Sequence, residues 1–353
     1  MKLLIINPGS TSTKIGIYED EKVLLEEVLR HKAEELKDFG QITDQYDFRK
    51  NIILNIIADK GYTIGDFDGI VGCGGLVKPI IGGTYLVNDR LIEDLQIGIL
   101  GQHASNLGGL IAHEIAKEIN QPAFIVDPVV VDEMKDISRI SGHPDIPRRS
   151  IFHALNQKAT AHKYSREMGK KYEELNLIVT HMGGGISVGI HQKGRVIDTN
   201  NALDGEGPFT PERTGGLPAG ALAAFCFESG LTLPEVKSMI VGKGGMVAFT
   251  GLNDLREIEE KGKDDPKIQL LIDALAYQVS KEIAAMSVAV NGQVDAILLT
   301  GGIAYSEYVT GEIIKRVSFI SEVRVFPGEN ELEALAMGAL RVLRGEEEAK
   351  IYC

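Results

Sequence analysis

The sequence predicts an α/β protein made of two related halves. Three observations carry that reading: short apolar runs alternate with longer stretches of helical periodicity, glycine clusters punctuate them, and one strand–turn–strand pattern occurs twice, about half the chain apart. The first copy runs over residues 2–7, a turn Pro8-Gly9-Ser10-Thr11-Ser12-Thr13-Lys14, and residues 15–18. The second runs over 177–181, Met182-Gly183-Gly184-Gly185, and 186–190. Apolar runs flanking Pro, Gly, Ser and Thr are the hairpin signal. A repeat of this period means a duplicated domain, since solenoid units recur every ~20–50 residues.

The other elements follow in chain order. Ser105 or Asn106 can cap a helix whose apolar face is Leu107, Leu110, Ile111, Ile115 and Ile119, ended by Pro122. An apolar run, 123–126, closes on Asp127. Arg148-Arg149-Ser150, before a helix expected from about Ile151, marks the boundary between the halves. Asp265 and Pro266 open a long helix striped by Ile272, Leu275, Val279, Ile283 and Met286, with Asn291-Gly292 as its stop. A strand over 296–300 leads into Gly301-Gly302. Asn330 and Glu333 have the spacing of a capping box for a last helix with Leu332, Leu335, Ala336, Ala339 and Leu340 on its apolar face.

Composition narrows the function. A chain of 353 residues suggests two domains at ~100–200 residues each. Its formal net charge of −13 argues against a nucleic-acid surface, which shows a basic face. Three cysteines do not make a disulfide framework and fit a reducing compartment, so a cytoplasmic location is expected. No run reaches the ~18 apolar residues of a membrane span, and the N-terminus runs directly into a strand-like segment, so neither a membrane role nor a secretory leader is expected. His31, His162 and His191 lack ligand spacing and are expected at the surface.

Several segments can carry chemistry. The small, hydroxyl-rich turn from Asn7 to Lys14 can cradle phosphate oxygens with its amides, Ser10 and Ser12, while Lys14 adds charge. It lacks the Walker A spacing, and a polar hairpin turn that binds nothing reads the same way. Three glycines after His181 let backbone approach a ligand closely. Asp127 stands at a strand's C-terminal end, where it can hold hydrated Mg²⁺ or simply shape the turn before Pro128. Arg213, in the stretch Phe209-Thr210-Pro211-Glu212-Arg213, suits bidentate recognition of a carboxylate or phosphate.

Taken together, the segments Asn7 to Lys14, His103-Ala104-Ser105-Asn106-Leu107-Gly108, Asp127, Thr180 to Gly185, Phe209 to Arg213, Asn253-Asp254-Leu255-Arg256, Thr300 to Ile303 and Asn330-Glu331 resemble the acetate, propionate and butyrate kinase family of the sugar kinase–Hsp70–actin fold, most closely its butyrate kinase branch. The resemblance spans essentially the whole chain. It implies two duplicated βββαβαβα domains of the actin-like, ribonuclease H-like ATPase fold, with ATP and substrate in a cleft between them. The implied domains are 1–150 with a returning helix at 331–353, and 151–330. The implied reaction is ATP plus a short-chain, straight or branched carboxylate giving ADP plus an acyl phosphate, reversibly, in an oligomer of at least two chains. Asn7, His181 and Arg213 would surround the transferring phosphoryl group and His103 matches an active-site histidine. Asp127 and Glu331 would organise Mg²⁺, Gly183, Gly184 and Gly185 would cradle phosphates, and Asp254, Arg256, Gly301 and Gly302 fall at the adenosine site.

One position departs from the family. Cys73 stands where the family carries an arginine that helps hold the carboxylate. Lys78 is the nearest cation in sequence, and Cys73→Arg is expected to lower the KM for carboxylate. An acetate or propionate kinase, or another phosphotransferase of this fold with impaired carboxylate binding, is the alternative. A sugar kinase would recruit an aspartate such as Asp127 as base; a carboxylate acceptor, already ionised at pH 7, needs none.

Overall fold

In a computed structural model of the chain, residues 1–37 and 39–353 are described. The chain divides into two compact units, Met1–Val131 with Asn330–Cys353, and Asp132–Glu329. The first unit contains strands β1 (Lys2–Pro8), β2 (Ser12–Glu19), β3 (Lys22–Arg30), β4 (Gly69–Cys73), β5 (Thr84–Leu86) and β6 (Ala123–Val126). The second contains β7 (Asn176–Met182), β8 (Ile186–Gln192), β9 (Arg195–Thr199), β10 (Ala296–Gly301) and β11 (Val323–Pro327). A last short strand, β12 (Lys350–Ile351), returns to the first unit.

The two sheets run β12-β5-β6-β4-β1-β2-β3 and β11-β10-β7-β8-β9. Without β5 and β12 they have the same plan: a three-stranded antiparallel meander, β1-β2-β3 or β7-β8-β9, extended by two parallel strands, β4 and β6 or β10 and β11. That shared plan is the duplication read from the two turn motifs. The leading strands are continuous apolar runs because helices cover the sheets; Leu3, Leu4, Ile5 and Ile6 are fully buried, as are Leu177, Ile178 and Val179.

Local signals explain the helices that cover these sheets. The helix Asn106–Glu118 buries Leu107, Leu110, Ile111 and Ile115. It meets β4 at backbone distance, because a Cβ on Gly72 would stand 2.2 Å from the Gly108 carbonyl oxygen. The helix Pro266–Ser287 buries Ile272, Leu275, Val279, Ile283 and Met286, and the Asp265 carboxylate caps it by accepting from Lys267 N at 2.8 Å.

Three expectations are corrected. The helix Glu331–Leu343 has no capping box: Asn330 sits at φ 40°, in the left-handed region, and makes no side-chain cap bond. An N-cap needs extended backbone to aim its side chain at the N3 amide. His31 and His191 are buried rather than exposed, His31 Nε2 lying 2.9 Å from Thr13 Oγ1 and His191 lying between Tyr172 and Gln157. Finally, the chain leaves the first unit at 131/132, upstream of the 150/151 boundary read from sequence. Residues after 131 bond into the second unit: Glu133 pairs with Lys158 at 3.0 Å and accepts from Val196 N, and Arg148 pairs with Asp198 at 2.9 Å. Among the described residues, no helix is long and apolar enough to cross a membrane.

Candidate active site

In the second unit the site is built on the β7–β8 hairpin. Gly183 N donates to Gly185 O at 2.9 Å and closes the turn. Gly185 is required by what lies beside it: a Cβ there would be 2.1 Å from the Arg213 guanidinium and 3.2 Å from the His153 ring. Arg213 is carried by the segment after β9, which is tied to the same turn because Thr210 Oγ1 donates to Gly184 O at 2.6 Å and accepts from Arg213 N at 3.0 Å. The Arg213 guanidinium donates to Ala202 O at 2.8 Å, while its Nε is buried without a protein partner among the described residues. A buried guanidinium donor left open is costly. That leaves Arg213 with hydrogen-bonding capacity that the protein does not meet.

His181 ends β7 where the sequence placed it and is buried, with Nε2 3.6 Å from Glu329 Oε1. Asn156 Nδ2 donates to Glu329 O at 3.0 Å, so Asn156 Oδ1 is the atom that accepts from His181 Nδ1–H at 2.8 Å. The His181 ring stacks on His153, centroids 3.8 Å apart and 14° from parallel. His153 precedes the helix Ala154–Glu167 and keeps a partly exposed edge. Burial, then the nearby Arg213, push His153 down to about 4; burial, then His153 and Arg213, hold His181 well below the usual histidine range. Both rings are therefore neutral at pH 7, as close stacking beside a guanidinium requires.

A cavity of about 760 Å³ opens on the same turn, lined in part by Gly183, Gly184, Asp254, Arg256, Gly302 and Ser306. Its size lies within the range of small-molecule sites. Asp254 caps the helix Leu255–Gly262 and pairs with Arg256 at 2.5 Å, which holds its carboxyl at about 2. A Cβ on Gly302 would meet nothing within 4 Å, whereas Gly301, at φ 89°, backs onto Met182 at 2.3 Å and is held to glycine by both conformation and space. Asp254, Arg256 and Gly302 thus line one cavity with Gly183 and Gly184; Gly301 supports it from behind.

In the first unit the β1–β2 hairpin pairs Asn7 with Lys14 across the ladder, and both side chains converge on Glu331: Asn7 Nδ2 donates to Glu331 Oε2 at 2.9 Å and Lys14 Nζ at 3.0 Å. Lys14 belongs to β2, so the turn itself is confined to residues 9–11. Beneath it, the fully buried Arg49 donates to the carbonyls of Gly9, Ser10 and Ser12 and to Thr13 Oγ1 and Gln45 Oε1. In a trans peptide the N–H opposes the C=O. Carbonyls of Gly9 and Ser10 drawn to Arg49 therefore turn the amides of Ser10 and Thr11 outward, on the face where those two side chains are exposed. Asp127, at φ 37° just after β6, accepts from Gly83 N at 2.6 Å. His103 is exposed, its Nδ1 2.7 Å from Ser105 Oγ.

The structure changes the reading of Cys73. Its thiol is buried 3.6 Å from Ser105 O, and Gly108 packs on it so closely that a Cβ there would stand 2.8 Å from Sγ. Burial pushes the thiol up, so it stays neutral. A guanidinium has no room at this position without displacing the helix Asn106–Glu118. Lys78 is not a substitute cation, because its ammonium lies 3.3 Å from the buried Asp94 carboxylate.

Asp127 and Glu331 supply hard carboxylate oxygens, and among the described residues no group of three or more His, Cys, Asp or Glu is assembled that could hold a metal ion. That donor set fits Mg²⁺, which keeps most of its waters and takes one or two carboxylates, and does not fit a metal needing a full protein cage. The residues that sequence reasoning missed are His153, Asn156 and Ser187. A usable signal was the run His153, Asn156, Gln157, Thr160: polar residues at helical spacing on a helix whose Asn156, Gln157 and Thr160 are all buried.

The shared sheet plan is that of the actin-like ATPases, a fold whose members include nucleotide-dependent phosphotransferases. Comparison with known proteins agrees. The model of the Acetokinase family matches residues 145–331. The chain is 58% identical over 352 residues, 99% of each chain, to butyrate kinase 1 of Clostridium acetobutylicum, and 56% identical over the same length to a probable butyrate kinase of Clostridium botulinum. Its fold matches that of Porphyromonas gingivalis acetate kinase with a TM-score of 0.78 at 18% identity, over 97% of this chain and 99% of that one. The protein belongs to the Acetokinase family.

Proposed function

We propose that the protein is a butyrate kinase: it transfers the γ-phosphoryl group of ATP to a carboxylate oxygen of butyrate, breaking the bond to ADP as the acyl phosphate bond forms, reversibly. Full-length identity of 58% to a butyrate kinase supports the substrate class. The site observation that carries the chemistry is the pair of neutral histidines stacked beside the Arg213 guanidinium, an arrangement that suits an anionic acceptor. A sugar or water acceptor needs a base; butyrate is ionised at pH 7 and does not. Asp127, the one carboxylate considered for that role, accepts a 2.6 Å bond from Gly83 N.

Phosphoryl transfer depends mainly on positioning and charge neutralisation. The Arg213 guanidinium, half-buried beside the glycine turn, is proposed to meet the phosphoryl oxygens, and His153 to donate without adding charge. The cavity beside Gly183 and Gly184 would take the nucleotide, with Asp254, Arg256 and Gly302 around the adenosine. Asn7, Ser10, Ser12 and Lys14 are proposed as phosphate-binding groups of the first unit, Ser10 with its outward amide. Mg²⁺ would be held by Asp127 and Glu331 and would neutralise phosphate charge. The protein is further proposed to form a homo-oligomer: the helix Ala219–Glu228 is apolar all round yet buries no residue in the single chain, with Phe227 92% exposed. A second copy covering that helix is the expected partner, and Phe227→Glu should yield monomers on a sizing column.

Hydroxylamine trapping of acyl phosphate made from ATP and a series of carboxylates tests the reading. Butyrate or isobutyrate should give the highest kcat/KM. Absence of hydroxamate with every acid, or a clear preference for acetate, would overturn it.

A further inference from the structure

The His153 ring is held by a chain of buried polar groups whose donors and acceptors can be assigned one after another. A backbone carbonyl only accepts, so the Gln157 atom bonded to Ser187 O at 3.0 Å is its amide nitrogen. The Gln157 carbonyl oxygen must then accept from His191 Nε2, 3.0 Å away, which makes His191 an Nε2–H ring. Its Nδ1 accepts from Tyr172 O–H at 2.6 Å, and burial, then the nearby Lys158, keep that ring uncharged. The second amide proton of Gln157 goes to Ser187 Oγ at 2.8 Å. Ser187 Oγ also accepts from His153 N at 3.3 Å. With both lone pairs used, the hydroxyl proton of Ser187 has one direction left, His153 Nδ1 at 2.9 Å.

We propose that Ser187, oriented by Gln157, His191 and Tyr172, is a positioning residue that fixes His153 as the Nε2–H tautomer, so that His153 presents a neutral N–H donor, not a lone pair, to the phosphoryl oxygens. The opposite tautomer would ask Ser187 Oγ to accept a third bond. Among the described residues His153 Nε2 makes no hydrogen bond, so this N–H is left for a ligand. The choice matters because the wrong tautomer turns an attractive contact with anionic oxygens into lone-pair repulsion in a water-poor site. The role of His153 toward phosphate rests on the proposed kinase reaction; its tautomer does not.

The two can be separated by experiment. In protein carrying ¹⁵N-labelled histidine, the His153 signals, assigned by their loss in His153→Gln, should show a protonated Nε2 and an unprotonated Nδ1 without any substrate present. Ser187→Ala should move the ring toward the Nδ1–H form or a mixture, and lower kcat about 10- to 100-fold with KM for ATP and butyrate within about twofold. Ser187→Thr, which keeps the hydroxyl, should restore both. An Nδ1–H ring in the wild type, a ring unmoved by Ser187→Ala, or kcat within twofold of wild type in that variant each overturns the proposal. Loss of butyrate turnover in the wild type would instead sink the substrate assignment, and the substrate-free tautomer measurement still decides the role of Ser187.

Discussion

The two hairpins that begin the two units are the same element braced by opposite chemistry. Under the β1–β2 turn lies a charge: the Arg49 guanidinium binds the Gly9, Ser10 and Ser12 carbonyls, and Lys14 and Asn7 meet Glu331. Under the β7–β8 turn lies a neutral network of Ser187, Gln157, His191 and the stacked His153 and His181, with the only guanidinium in that group, Arg213, left partly open. Duplication supplied the backbone twice. What differs is whether the cation is spent on holding the turn or left with unmet hydrogen-bonding capacity. Arg49 is fully satisfied and structural; Arg213 keeps a buried Nε without a protein partner and is the cation proposed to meet the anion.

Breaking each side of this comparison should give different phenotypes. The largest effect is expected from Arg213→Ala, which removes a charge-stabilising donor and should lower kcat by about 10²–10³ with little change in melting temperature; a loss under threefold in steady-state assays would exclude its assigned role. Arg49→Met should act the other way, through folding. It strands several carbonyls that the guanidinium satisfied, costing about 3 kcal/mol in chemical denaturation. Cys73→Arg should cost roughly 1–3 kcal/mol by overpacking against Ser105 and Gly108 and should not lower the KM for butyrate, the reverse of the expectation from family comparison alone.

A pH dependence follows from the neutral network. His153 titrates at about 4 in the folded protein and His191 well below its ordinary value, while both take protons near ~6.5 when unfolded. Between about 6.5 and 4 the unfolded chain binds protons that the folded one refuses. Stability is therefore full above about 6.5 and is lost as pH falls through that window. Thermal melts at pH 7 and pH 5 should differ by at least ~1 kcal/mol, and His191→Gln should reduce the difference. The smallest effect is expected at Gly302. A methyl there meets nothing in the protein, so Gly302→Ala should leave stability within ~0.5 kcal/mol and register only as a higher KM for ATP. Gly185→Ala, by contrast, should displace the Arg213 guanidinium, because a Cβ there would stand 2.1 Å from it.

Much of the candidate site was legible as local structure, because its signals are local. Asn7, His181, the triple glycine and Arg213 each sit at a strand end or in a turn that composition alone marks out. His153 was not legible: a single histidine before a helix looks like many others, and only the fold stacks it on a residue from β7. His31 and His191 were misplaced for the same reason, since burial of a histidine depends on which distant groups satisfy its two nitrogens. The capping box failed because its residue spacing was present while the backbone of Asn330 took the left-handed conformation.

The sequence by itself determined the class, the duplication and the family. Hydrophobic periodicity and glycine punctuation are short-range properties, and 58% identity over the full length leaves no freedom in the fold. The tertiary structure alone decided how each charge is used. It committed Arg49 to a turn and Lys78 to Asp94, closed the space around Cys73, and kept two stacked histidines neutral. The reason is physical: protonation state, tautomer and available volume are set by neighbours brought from far along the chain, and no local pattern records them.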